Sequence, residues 1–175
     1  MNICVFCSAR HLADKYTGPA KELAKLIAEN NHTLVWGGSD SGLMQIMASG
    51  VREGGGKLVG VSVKFLHHQT RKDSDEMVIA KDLGERKAML LKRSDVIVML
   101  VGGTGTLDEA TEVIELKKHH FHEKEIIILN TDGFYNGFKL QLETMEKEGL
   151  FPCPLAELVL FADTPQAVID QIHTN

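Results

Sequence analysis

The residues Val96-Ile97-Val98-Met99-Leu100-Val101 run apolar for the length of a strand and break at once into Gly102-Gly103-Thr104-Gly105-Thr106. No other stretch restricts the fold of this chain more. A β-favouring run with no polar face belongs to a strand buried on both sides, the condition of a parallel sheet covered by helices. Leu107 to Leu116 then reads as a helix. A strand that passes through glycines into a helix sets backbone N–H groups and the positive helix end at the carboxyl edge of the sheet. That is a standing place for a phosphate or another anion. Gly102, Gly103 and Gly105 let a ligand approach the main chain, while Thr104 and Thr106 add hydroxyl donors. Thr106 is also placed to cap the helix.

The same succession occurs earlier. Thr33 to Trp36 reads as a strand, Gly37-Gly38-Ser39-Asp40-Ser41-Gly42 as a glycine loop, and Leu43 to Val51 as a helix. Further strands are expected at Asn2–Phe6, Lys57–Val63, Met77–Ala80, Glu125–Leu129 and Leu158–Phe161. Further helices are expected at Tyr16–Asn30, after a capping Asp82, at Phe138–Glu148, and after Asp163-Thr164-Pro165, where proline takes the first helical position. His67 to Glu76 is polar and reads as a mobile loop. Strands alternating with helices predict a single α/β domain over residues 1–175. Its sheet is parallel and doubly wound (Rossmann-like), with helices on both faces. Ligands of such folds sit beyond the carboxyl ends of the strands, where both glycine loops fall.

At 175 residues the chain suits one well-buried domain. A net charge of -5 leaves no basic excess for nucleic acid as a main partner. No apolar run approaches the ~18 residues of a membrane span. The first residues enter a strand directly, without a basic leader, and three cysteines cannot all pair, so a reducing cytoplasm is expected. Cys4 and Cys7 lie in and just after a strand rather than at a helix start, which suits small buried hydrophobes better than a redox or zinc pair. His119, His120 and His122 suggest a metal, but no carboxylate pattern accompanies them. Neither a metal nor a cofactor is expected.

Two charged positions stand out on helices. Leu83, Arg86 and Leu90 share one stripe, and an arginine on an apolar stripe either snorkels to solvent or reaches an anion. Glu109, Glu112 and Glu115 run down one polar side, where Glu112 and Glu115 read as a solvated face.

The central segment resembles the P-G-G-x-G-T-x-x-E signature of the LOG family, cytokinin-activating phosphoribohydrolases once labelled lysine decarboxylases. Gly102, Gly103, Gly105, Thr106 and Glu109 match, and Val101 stands for the proline. Gly37 to Gln45 is similar to the family's G-G-G-x-x-G-L-M-G, with Ser39 and Gln45 replacing glycines. Glu85-Arg86-Lys87 matches the end of M-H-x-R-K, with Leu83-Gly84 in place of its Met-His. The likeness implies hydrolysis of the N-glycosidic bond of a nucleoside 5′-monophosphate, of the AMP or cytokinin riboside monophosphate type. Arg86 and Glu109 would be the catalytic pair. Ser8, Gly37, Gly38, Lys87, Gly102, Gly103, Thr104, Gly105, Thr106 and Asp108 would bind the substrate.

Asp108 and Asp40 are the candidate acids for the leaving base, and the family's substrate-binding Glu has no counterpart near His67-His68-Gln69. A decarboxylase would need pyridoxal phosphate on a lysine, and no lysine here has a marked setting. A nucleotide or cofactor carrier without catalysis is the competing reading. The likeness also implies a homodimer through the segment of Leu116 and Phe121, although only His122 and Lys124 survive of that segment's W-A-Q-L-G-x-H-x-K-P.

Overall fold

The apolar runs become the strands of one parallel sheet. The structure, a computed structural model, describes residues 1–174. In chain order the elements are β1 (Asn2–Phe6), α1 (Asp14–Glu29), β2 (Thr33–Trp36), α2 (Gly42–Glu53) and β3 (Lys57–Val63). A 3-10 segment (Lys64–Gln69), β4 (Glu76–Ala80), α3 (Leu83–Arg93), β5 (Val96–Met99) and α4 (Thr104–Lys118) follow. The chain continues through β6 (Ile126–Leu129), α5 (Asn136–Lys147), the single turn α6 (Leu155–Leu158), β7 (Leu160–Ala162) and α7 (Pro165–Thr174).

Among the described residues the sheet has seven strands in the order β4-β3-β2-β1-β5-β6-β7, and every pairing is parallel. Alternate side chains of a strand point to opposite faces, and the core divides accordingly. Ile3, Val5, Val96 and Val98 pack with Leu23 and Ile27 of α1, Met47 of α2 and Val168 of α7. Cys4, Phe6, Ile97 and Met99 pack on the other side with Leu90 of α3, Val113 of α4 and Leu142 of α5. Strand order runs outward one way from β1 and the other way from β5, so the connections leaving these two neighbours diverge. That is the switch point at which a doubly wound sheet opens a crevice.

Local chemistry agrees with several expected boundaries. Asp82 caps α3 by accepting from the Glu85 amide at 2.8 Å, and Glu85 reaches back to the Lys81 amide at 2.6 Å. Thr164 Oγ1 accepts from the Ala167 amide at 3.2 Å ahead of α7, whose first residue is Pro165.

Other expectations are corrected. Thr106 does not cap α4, because the helix begins two residues earlier with Gly103 at its cap. Leu158 ends a helical turn and the last strand starts only at Leu160. The 67–76 stretch is stapled down. Its 3-10 turn is tied through the Asp40 amide to the Gln69 carbonyl, and the Arg71 amide donates to the Gly38 carbonyl. The Arg71 guanidinium, 13% exposed, binds Asp40, Asp73 and the Ser49 hydroxyl.

Gly42 shows how tightly the β1 and β2 loops are joined. It opens α2 at φ 58°, and a Cβ there would stand 2.5 Å from the Ala9 carbonyl carbon and 2.7 Å from its oxygen. Backbone cannot swing aside as a side chain does. Gly55, at φ 79°, has nothing within 4 Å of its missing Cβ. Gly55→Ala should therefore cost only the left-handed backbone penalty, about 1–2 kcal/mol. Gly42→Ala should cost clearly more, as a larger fall in urea midpoint at unchanged slope. Equal midpoints for the two variants would contradict this packing.

Candidate active site

Arg86 lies one turn into α3, on the stripe between Leu83 and Leu90, and is 9% exposed. It does not snorkel. Its Nε donates to the Val61 carbonyl of β3 at 3.0 Å, and its Nη1 donates to Glu109 Oε1 at 2.7 Å. Gly37, directly after β2, leaves room for the far nitrogen of the guanidinium, since a Cβ there would overlap Nη2. Glu109 is 7% exposed in α4. Burial pushes its carboxyl above the usual glutamate range, and the charge and hydrogen bond of Arg86 pull the other way. A buried carboxylate perturbed by desolvation and held by a specific cation, in a cleft, marks a functional candidate.

Lys87 follows on α3 and bridges to α4. Its ammonium binds Asp108 Oδ2 at 2.9 Å and also contacts Glu112 Oε2. These bonds, that of Glu112 foremost, raise the ammonium's pKa. Glu112 is thus not part of a merely solvated face. Glu115 is exposed, pairing among the described residues with Lys118 on its own helix and with His119 at the helix's end.

These groups meet in a cleft of about 320 Å³ at the switch point, within the ~300–1,000 Å³ of small-molecule sites. Of the expected site residues, Ser8, Arg86, Lys87, Gly103, Gly105, Thr106, Asp108 and Glu109 line it. The others lie behind or outside. Gly37 backs Arg86, Gly38 packs on Met77, Gly102 lies under the Thr106 side chain, and Thr104 is exposed at the start of α4. Asp40 pairs with Arg71 beside a larger hollow of about 780 Å³, outside the cleft, whereas Asp108 lines the cleft and pairs there with Lys87.

Sequence reasoning missed the apolar wall of Met44, Leu66 and Leu83, and also Arg10. Leu83 carried a signal, as an apolar residue one turn before Arg86. Arg10 carried none beyond following Ser8.

The two glycine-loop helices differ in what their starts can offer. The Leu43 and Met44 amides of α2 both donate to the Ser8 carbonyl, at 3.0 and 3.3 Å, so that start is closed by the protein itself. The loop before it is held too, since the Trp36 indole N–H donates to the Ser39 carbonyl at 3.3 Å. The start of α4 has no side-chain cap and Gly103, Gly105 and Thr106 line the cleft, which makes its first-turn amides the candidate anion cradle.

His122 is a core histidine. Nε2 lies 2.9 Å from the Val113 carbonyl and Nδ1 3.2 Å from the Lys124 amide, which fits a neutral ring donating through Nε2. Burial lowers its pKa accordingly. Cys4 and Cys7 are free and buried in opposite cores, and burial raises both thiols.

Doubly wound α/β proteins bind their ligands in the crevice beyond the strand ends, and the cleft occupies it. The chain is of that doubly wound α/β class. The family model described as "Possible lysine decarboxylase" matches residues 44–172, and the chain belongs to that family, the LOG family. It is 34% identical to a probable cytokinin riboside 5′-monophosphate phosphoribohydrolase of Oryza sativa subsp. japonica, over 98% of this chain and 71% of the relative. It is 32% identical to a cytokinin riboside 5′-monophosphate phosphoribohydrolase of Arabidopsis thaliana, over 98% and 81%.

Two solved structures share the fold. The molybdenum cofactor binding protein of Rippkaea orientalis has a TM-score of 0.77 at 22% identity, covering 99% of this chain and 95% of that one. The Moco carrier protein of Chlamydomonas reinhardtii has a TM-score of 0.76 at 23% identity, with the same coverage. Among the described residues no helix is long and apolar enough to cross a membrane.

Removing one partner of the buried pair exposes its energetics. Arg86→Met leaves Glu109 buried without its cation, and such a loss typically costs about 3–5 kcal/mol. The carboxyl's folded pKa then rises further above its unfolded value of about 4.3. A raised acid favours folding when protonated, so stability is highest below the unfolded pKa and falls as pH rises through the window up to the folded pKa. Urea unfolding of Arg86→Met should show a smaller deficit at pH 5 than at pH 7, and adding Glu109→Gln should recover part of the pH 7 loss. A deficit independent of pH would disprove the pairing.

Proposed function

We infer that this protein hydrolyses the N-glycosidic bond of a nucleoside 5′-monophosphate, of the AMP or cytokinin riboside monophosphate type, to free base and ribose 5-phosphate. The observation that carries the reading is the buried Arg86–Glu109 pair in the same cleft as the uncapped start of α4. The named activities of the relatives support it.

The phosphate sits on the amides of the Gly103–Thr106 turn, against the positive end of the helix. Breaking the glycosidic bond builds positive charge on the ribose, with oxocarbenium character. The Glu109 carboxylate stabilises that charge or takes a proton from the attacking water. Arg86 keeps Glu109 ionised in spite of its burial and holds its orientation. Lys87 fixes α3 against α4 through Asp108 and Glu112, and so keeps the pair in register. Asp108, which lines the cleft, is the group proposed to protonate the leaving base, taking up a solvent proton as it parts from Lys87, while Glu112 keeps the link between the helices. Met44, Leu66 and Leu83 offer an apolar wall to a planar base.

Glu109→Gln keeps size and removes charge. It should lower kcat by ~10²–10⁴-fold with KM little changed. In the unmodified protein activity should fall as pH drops through the raised Glu109 pKa, so the acid limb lies above the ordinary glutamate value. Glu112→Gln should retain that limb. Incubation with a panel of nucleoside monophosphates, read out as ribose 5-phosphate, tests the reaction itself. Tight binding without release of base would make the protein a carrier instead.

The proposal includes a homodimer. Phe121, 77% exposed just after α4, supports a contact there. Light scattering at micromolar concentration should give twice the chain mass, and Phe121→Asp should shift the protein to monomer. A monomeric mass for the unmodified protein would refute the assembly.

A further inference from the structure

The geometry points to Arg10 as the side chain that grips the ligand's phosphate opposite the α4 helix start, and so as a determinant of preference for phosphorylated substrates. This deepens the hydrolase reading and, for its kinetic part, rests on it.

Three cationic residues line the cleft, and two are already neutralised. Arg86 is bound to Glu109, and Lys87 to Asp108 and Glu112. Arg10 is exposed and, among the described residues, its guanidinium has no hydrogen-bond or ion-pair partner. A cation that lines a cleft unpaired is one the fold leaves for something else. Its position beside the cradle follows from the sheet. β1 and β5 are neighbours, and their pairing continues past the strand ends through Leu100 N–H to the Phe6 carbonyl at 2.9 Å and Ser8 N–H to the Val101 carbonyl at 3.1 Å. The 8–10 loop and the 102–105 loop therefore leave the sheet side by side.

The backbone that carries Arg10 is held from three directions. Its own amide donates to Ser8 Oγ at 3.0 Å, the Ser8 carbonyl is locked to two amides of α2, and Gly42 packs directly on the Ala9–Arg10 backbone. A rigid base under a free guanidinium suits phosphate, whose oxygens accept two parallel N–H bonds from an arginine. Ser8 is then a positioning residue, acting through Arg10.

The test compares Arg10→Ala, Arg10→Lys and the unmodified protein, by calorimetry with inorganic phosphate and with a nucleoside 5′-monophosphate, and by steady-state kinetics. Arg10→Ala should weaken binding of both by about tenfold or more, as expected for a lost charge-assisted hydrogen bond. The loss should fall on KM rather than kcat, shrink as salt is raised, and be partly recovered in Arg10→Lys. Thermal midpoints should stay together, because the side chain is exposed.

Unchanged phosphate and nucleotide affinity in Arg10→Ala overturns the assignment, even if the protein proves to be the proposed hydrolase. A protein that binds monophosphates but cleaves none removes the hydrolase reading, and the binding comparison still decides the role of Arg10. A protein that binds neither phosphate nor monophosphates overturns both.

Discussion

The contact between Arg86 and Glu109 asks more of this fold than any other. Two opposite charges lose most of their hydration when they are buried together, and attraction recovers that loss only with good geometry and with the remaining donors satisfied. Four pieces of chain, distant in sequence, supply that geometry. The Val61 carbonyl at the end of β3 takes the Nε proton, Gly37 clears space for the far nitrogen, α3 aims the guanidinium and α4 aims the carboxylate. A parallel sheet brings all four to one edge. A buried pair of this kind contributes little net stability, because an apolar pair of similar volume often does as well.

The sheet edge carries two glycine loops that look alike in sequence and behave differently. The start of α2 is closed by the Ser8 carbonyl, which takes two amides, and its loop serves to hold the β1 connection and to make room for Arg86. The start of α4 has no side-chain cap among the described residues. Of the two helix starts, that of α4 lies in the cleft with the buried pair. The arrangement also explains why several glycines with no wall in the cleft still belong to it. Gly37 and Gly102 shape the site from behind, one against Arg86 and the other against Thr106.

Much of the architecture was legible because the signals are local. Runs such as Val96–Met99 and Ile126–Leu129 are apolar on both faces, and the caps at Asp82 and Thr164 are written within four residues of the groups they bind. The pairing of Arg86 with Glu109 was legible only through the resemblance. Periodicity could place Arg86 on an apolar stripe but could not name a partner 23 residues away. The same limit hid the pairing of Lys87 with Glu112 and the stapling of the 67–76 stretch by Arg71, since both join separate elements. The early start of α4 was missed because Gly103 caps with backbone alone and leaves no side-chain signal. Arg10 was missed for the opposite reason: its place depends on the meeting of three loops, and nothing beside it in sequence marks it.

Trp36 gives this site an optical property of its own. It is the one tryptophan of the chain, fully buried, and its indole N–H is tied to the Ser39 carbonyl in the loop whose Gly37 backs Arg86. Indole emission depends on the polarity and hydrogen bonding around the ring. Any ligand that shifts the Arg86 guanidinium or the 37–42 loop therefore alters the fluorescence of a single, identified fluorophore. Occupancy of the cleft becomes readable without a label or a turnover assay, and excitation at the red edge of the indole band leaves the seven phenylalanines and two tyrosines unexcited.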